Sequence, residues 1–183
     1  MKWHVLYTRH HHERAVYERL LEKGFQSYLP LAIAWRKSKG GTRRVTTPLF
    51  PRHLFVRCYL EMYAHLELMC IPGVMRLLED GQGQFLVMAE DEIQLLRRLS
   101  DSAAFIGQGK YQMEGERVEV VQGQLRGISG VIGGAYKTTL LVPIHTLQAS
   151  VAIEISRLQV APYPDNGEDL RIGSFPPGLM AEG

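Results

Sequence analysis

The residues with chemistry to offer come early in the chain. Arg9, His10, His11, His12, Glu13 and Arg14 follow one another, bringing imidazoles and guanidiniums into one short segment. Consecutive histidines on a helix point in different directions, because facing positions need spacings of three or four, so the run does not read as a metal site. Hydrogen bonding to phosphates or unstacked base edges suits Arg9, His10, His11 and Arg14 better; the plain alternative is a solvated helix face. A second basic group, Lys37, Lys39, Arg43 and Arg44, surrounds Gly40-Gly41 and carries the same two readings. Tyr7, Phe50 and Phe55 are rigid rings that either fill a core or anchor a protein interface. No nucleophile with a base, paired carboxylates or phosphate-binding glycine loop accompanies them. An enzyme is therefore not expected, nor a cofactor or a metal.

Charge is distributed unevenly. Residues 1–60 contain 12 Lys and Arg against 3 Asp and Glu, although the whole chain carries only +2. Such a field attracts phosphate backbones or acidic protein surfaces without specifying a sequence. With 183 residues, 45% of them apolar, the chain can bury a substantial core. It has no run near the roughly 18 apolar residues of a membrane span and no signal-peptide pattern at its start, so a cytoplasmic monomer is expected. Cys58 and Cys70 lack ligand or disulfide spacing and read as reduced core thiols.

The elements that must position these residues follow from periodicity. Lys2 to Thr8 alternates as a strand, with Trp3, Val5 and Tyr7 on one face. Thr8 is placed to cap a helix from about His11 to Lys23, which Gly24 stops. Phe25 to Leu29 is a strand, and Leu31 to Thr47 a hairpin whose tip is basic. In Pro48-Leu-Phe-Pro-Arg-His-Leu-Phe-Val-Arg57 two prolines hold the backbone extended before a strand from His53 to Tyr59. Phe50 and Phe55 cannot share one alternating face, so one ring is expected buried and the other presented. Helices near Glu61 to Met69 and Glu90 to Leu99, and strands at Val74 to Leu78 and Phe85 to Met88, complete an α+β unit over residues 1–100. Periodicity fails over 101–112, a linker. Short strands then suggest a five-stranded β-barrel over 113–162, before a polar tail, 163–183, expected to be disordered.

Gly115 to Val131 reads Gly-Glu-Arg-Val-Glu-Val-Val-Gln-Gly-Gln-Leu-Arg-Gly-Ile-Ser-Gly-Val. Its glycines suit tight corners or close backbone approach, and the segment resembles the KOW motif. Following a basic α+β unit with Pro-Leu-Phe-Pro-Arg-His-Leu-Phe-Val, it makes residues 3–161 resemble the NusG family of transcription elongation factors, with an NGN domain, a linker and a KOW domain. The basic hairpin, the Pro-Leu-Phe-Pro run and the Gly73-Val74 turn resemble the specialised RfaH-like branch, general NusG proteins being the nearest alternative.

That resemblance implies a noncatalytic protein that binds RNA polymerase and suppresses pausing or termination. Tyr7, Phe50 and Phe55 match the lining of the family's polymerase-clamp site, and Ala64, His65 and Leu66 its gate-loop contact, where only His65 is polar. Arg9, His10, His11 and Arg14 would face displaced non-template DNA, and Lys37, Lys39, Arg43 and Arg44 upstream duplex DNA. The loop that binds ribosomal protein S10 or Rho in the family here carries Leu125 between Gln124 and Arg126. A ribosome-associated, RNA-binding KOW protein is the reading from another class.

RfaH-like closure uses a helical hairpin, but Thr138 to Ile155 contains Pro143, and an interior proline costs a helix about 3 kcal/mol. Thr47 also replaces the acidic residue that bridges the domains in that closed form. A constitutive β-unit and an open docking face with Phe50 presented are therefore expected. Far-UV circular dichroism of residues 113–162 alone and of the full chain should show no large helical difference attributable to this segment.

Overall fold

The computed structural model of the protein describes residues 1–38, 40–101, 106–109, 115–133, 139–154 and 160–163. In order come β1 (Lys2–Thr8), α1 (Glu13–Glu22), β2 (Gln26–Tyr28), β3 (Leu31–Ser38), β4 (Gly41–Pro48), β5 (His53–Cys58), α2 (Met62–Met69), β6 (Val74–Leu77), β7 (Val87–Met88) and α3 (Glu90–Asp101). The first sheet runs β2-β5-β1-β6 with β7 also on β1, while β3 and β4 form a separate two-stranded sheet among the described residues. Its order follows from β1, which pairs antiparallel with β5 along its length and with β7 and β6 at successive points of its other edge.

Alternation along β1 separates two cores. Leu6 joins Leu54, Val56 and Cys58 of β5 with Val16 and Leu20 of α1 and Leu68 of α2. Trp3 and Val5 point the other way, with Phe55, Met88 and the α3 residues Ile93, Leu96 and Leu99. The spacing of those three α3 residues puts them on one stripe, and Glu90, Asp91 and Glu92 fill its first turn, where the helix dipole favours acids. Helix α1 begins later than its sequence suggests. Thr8 is the buried last residue of β1, and the cap position falls to His12, whose side chain makes no capping bond. Strand pairing to Val74 of β6 claims Thr8 before a helix can. Gly24 closes α1 at φ +81. Cys58 is buried as expected, but Cys70 is exposed, and both are free.

A second sheet contains β8 (Ile106–Gly109), β9 (Glu116–Val120), β10 (Ser129–Gly133), β11 (Thr139–Ile144), β12 (Ala149–Glu154) and β13 (Val160–Pro162). Its order is β13-β9-β10-β11-β12-β8, antiparallel throughout. The stretch read as a linker thus contributes β8, paired to β12. Pro143 lies within β11 opposite Ser150, so the described part of 138–155 is extended rather than helical. The tail beyond Tyr163 and the Lys39 tip lie outside the described residues. No helix among the described residues is long and apolar enough to cross a membrane.

The two sheets share one buried cluster, which extends from Trp3, Phe50 and Phe55 through α3 to Val118, Leu125, Ile128, Leu140 and Val151. Gly130 is where strand pairing needs a missing side chain: a Cβ there would stand 2.5 Å from the Leu141 carbonyl oxygen and 2.9 Å from Leu140 Cδ1. Backbone cannot yield as a flexible side chain does. Gly130→Ala is expected to destabilise the chain by about 1–3 kcal/mol, the usual cost of overpacking, read as a lower urea midpoint at unchanged m-value.

Candidate functional site

The Pro48–Arg57 stretch turns the aromatic residues inward. Leu49 donates its N–H to the Pro30 carbonyl at 2.8 Å, and His53 N–H reaches back to the Phe50 carbonyl at 3.2 Å. Between them Arg52 adopts φ +69, a left-handed conformation uncommon outside glycine, held by its N–H to Glu13 Oε1 at 2.9 Å and by Thr8 N–H to its carbonyl at 2.8 Å. Phe50 is 2% exposed and Phe55 0%, so the expectation of one buried and one presented ring is corrected: the bend at Arg52 brings both into one cluster. Phe55 lies opposite Val5 and stacks near Tyr28 with ring centroids 6.2 Å apart. Leu54 and Val56 belong to the other core, as alternation requires.

The open face anticipated from sequence is closed in this structure. Glu92 of α3 accepts the Thr146 N–H at 3.0 Å and the Thr146 hydroxyl at 2.5 Å. Arg98, two turns along, donates to the Arg126 carbonyl at 2.6 Å. Leu125, in the turn between β9 and β10, is 7% exposed and belongs to the shared cluster. Closure therefore occurs with β11 and β12 extended. Pro143 opposes a helical closed form and says nothing against a β one.

At the far end of the same face lies a cationic cluster. Strand register sets His53, Tyr7 and Arg76 side by side across β5, β1 and β6. The guanidinium of Arg52 lies 4.8 Å from the Tyr7 ring centroid and that of Arg76 5.4 Å, while His53 meets the ring edge at 5.6 Å. Burial holds the His53 imidazole below its ordinary value, a hydrogen bond to the Pro51 carbonyl partly opposing this.

Arg9, His10, His11 and Arg14 are all exposed. Arg9 N–H bonds the Gly73 carbonyl at 2.8 Å, His11 sits at φ +63, and the His10 and His11 rings are 3.8 Å apart. Gly73 is required for this turn: at φ +103, a Cβ would come within 2.9 Å of Val16 Cγ2 and 3.2 Å of His12 Cβ. Arg14 reaches the Thr46 carbonyl of β4 at 3.4 Å, tying the segment to the hairpin. There Lys37, Arg43 and Arg44 are exposed.

His65 is half-buried on α2, edge-on to Phe85 at 5.3 Å. Its neighbour Leu66, named with it from sequence, is exposed, and so are Tyr59, Met62 and Tyr63, which were not named, Tyr63 by 82%. The signal was available: α2 carries more large apolar residues than one helical face can bury, and Leu68 alone is fully buried.

The family model described as transcription termination factor nusG matches residues 1–97. This chain belongs to the NusG family. The NusG-family chain superposes on the Thermotoga maritima NusG structure titled for its domain interaction with a TM-score of 0.53 and 20% identity, covering 88% of this chain and 96% of that one. That likeness is one of fold. Two conformations of the MjSpt4:Spt5 complex also match, at 13% and 14% identity and TM-score 0.31, covering 88% and 87% of this chain and 97% and 95% of theirs. No curated protein sequence matches this chain.

His4, buried on β1, has no partner for its Nδ1 among the described residues, and burial, followed by nearby Lys2, lowers its affinity for a proton. His4 and His53 both bind protons more weakly folded than unfolded. Stability is therefore expected to be full above about pH 6.5, the unfolded histidine value, to fall as pH drops through the window beneath it, and to level off below the lowered folded values. Urea midpoints between pH 7.5 and 5 should show this slope, reduced in His4→Gln and further in His4→Gln/His53→Gln.

Proposed function

We propose that the chain is a noncatalytic transcription elongation factor of the specialised, antiterminating kind, which binds RNA polymerase through the Trp3, Phe50 and Phe55 face of its first sheet. Tyr7 lies at the rim of that contact. What supports this most is the composition of the face. It concentrates rigid aromatic and branched side chains, the profile of an interface anchor, and its cover is a separate sheet held at its edges by polar bonds from Glu92 and Arg98. Exchange of one apolar cover for another leaves the face never long in water.

In this reading residues 113–162 act as a KOW unit and the closed chain is the resting form. Release exposes the polymerase face and Leu125 together, so contact with ribosomal protein S10 or Rho through Leu125 becomes possible only once the chain has opened. The exposed run Arg9, His10, His11 and Arg14 faces non-template DNA, and the basic hairpin with Lys37, Lys39, Arg43 and Arg44 faces upstream DNA. Both are rich in cations and together form the electrostatic footprint expected for phosphate backbones. His65 and its exposed apolar neighbours on α2 supply a second polymerase contact on the opposite flank. The working location is the cytoplasm.

A binding-competent state that is only fractionally populated weakens apparent affinity by that fraction. Thr146→Val with Arg98→Gln removes the hydroxyl and guanidinium bonds of the closed form without touching the aromatic face. If these bonds are worth about 1.4 kcal/mol together, polymerase affinity should rise about tenfold in a pull-down or interferometry titration, whereas Phe50→Ala, checked for folding, should weaken it. Unchanged affinity in both variants would sink the assignment of this face.

A further inference from the structure

We propose that Tyr7, Arg52 and Arg76 form a phosphate clamp, in which the ring is a platform that preorganises two guanidiniums for the backbone of a single-stranded nucleic acid. The inference rests on the nucleic-acid reading given above and extends it to three residues outside the histidine run and the hairpin. Tyr7 stands in the centre of a cross-strand row, with His53 on one side and Arg76 on the other. Arg52 and Arg76 lie 4.8 and 5.4 Å from its ring centroid, within the reach of cation–π attraction.

Two positive groups held on one small ring repel each other, and a protein that merely filled its surface would set an acid beside them. Among the described residues neither guanidinium has a carboxylate at ion-pairing distance. Glu13, the acid of this network, is buried and accepts the Arg52 backbone N–H. The contacts Arg52 does make are poor substitutes. One terminal nitrogen approaches Met75 Sδ at 4.0 Å, and its Nε is buried with no partner among the described residues. The left-handed backbone at Arg52 also has a use here, because it turns a residue preceding the strand toward the Tyr7 row.

A guanidinium lying near a ring keeps N–H groups for a phosphate; for Arg52 these are the terminal nitrogens, because its Nε is buried. Arg76 is exposed, so the clamp is open to solvent at the end of β1, where the chain passes directly into Arg9 and the exposed histidines. A strand crossing Arg9 and His10 would meet the clamp next. A nucleic acid fits better than an acidic peptide because the clamp adjoins, two residues along the chain from Tyr7, the exposed Arg9 and the Arg14 that follows it, and several neighbouring cations suit the regularly spaced phosphates of a backbone.

The test is fluorescence anisotropy of a labelled single-stranded oligothymidylate with the full chain over a series of KCl concentrations. Each phosphate contact on a single strand contributes about 0.7 to the slope of log affinity against log salt. Arg76→Gln and Arg52→Gln are each expected to lower the slope by about that amount and the affinity several-fold. Tyr7→Leu should weaken binding at unchanged charge. Urea midpoints near wild type show that Arg76→Gln, an exposed change, has left the fold intact. Undiminished binding by Arg52→Gln/Arg76→Gln, with loss in Arg9→Gln, overturns the clamp and leaves the broader reading standing. No binding by the wild-type chain at low salt overturns both. Polyglutamate of equal charge displacing the probe as well as unlabelled oligothymidylate would likewise overturn it.

Discussion

Strand β1 has no solvent face, and the rest of the molecule depends on that. Its alternation gives Leu6 to a core closed by α1 and α2, and Trp3 and Val5 to a core closed by α3 and the second sheet. Both edges are also occupied, by β5 on one side and by β6 and β7 on the other. A slip of one residue would exchange the two sets and set Trp3 among the helices α1 and α2, so the register is fixed by packing on both sides. At its end this double burial stops, which is why Tyr7 is half-covered and the charges begin there.

Much of this was legible because the signals were local. The β1 alternation, the stop at Gly24, the hairpin about Gly40-Gly41, the acidic start of α3 and the glycine-marked strands of the second sheet all depend on neighbours in sequence. The physical meaning of Gly130 was also readable in kind: a close approach, here to the Leu141 carbonyl. Where reading failed, distant partners decided. Thr8 has good capping chemistry, but pairing across to β6 claimed it. Ile106 to Gly109 has no strand pattern of its own and becomes β8 because β12 offers an edge. Phe50 and Phe55 seemed to belong to opposite surfaces until the left-handed bend at Arg52 was known.

The candidate site was less legible than the fold. Sequence gave the residue types and a family resemblance, so it named Tyr7, Phe50 and Phe55 together, but it had no access to what covers them. Pro143 and Thr47 both bear on a helical closed form, and the structure closes the face with strands instead. The exposed side of α2 was passed over for a different reason. Apolar residues are read as core by default, and only a count against the width of one helical face marks Met62 and Tyr63 as surplus.

Only four residues, 102–105, separate the end of α3 from β8. A chain that short spans about 3.5 Å per residue, so the second sheet stays tethered beside the face it covers unless β8 leaves β12. Tethering by a short connection holds a domain at an effective concentration of roughly millimolar. Any outside partner for that face, present at about micromolar concentration, then starts about a thousandfold behind, close to 4 kcal/mol. The length of that connection thus sets how demanding the aromatic face is toward its visitors.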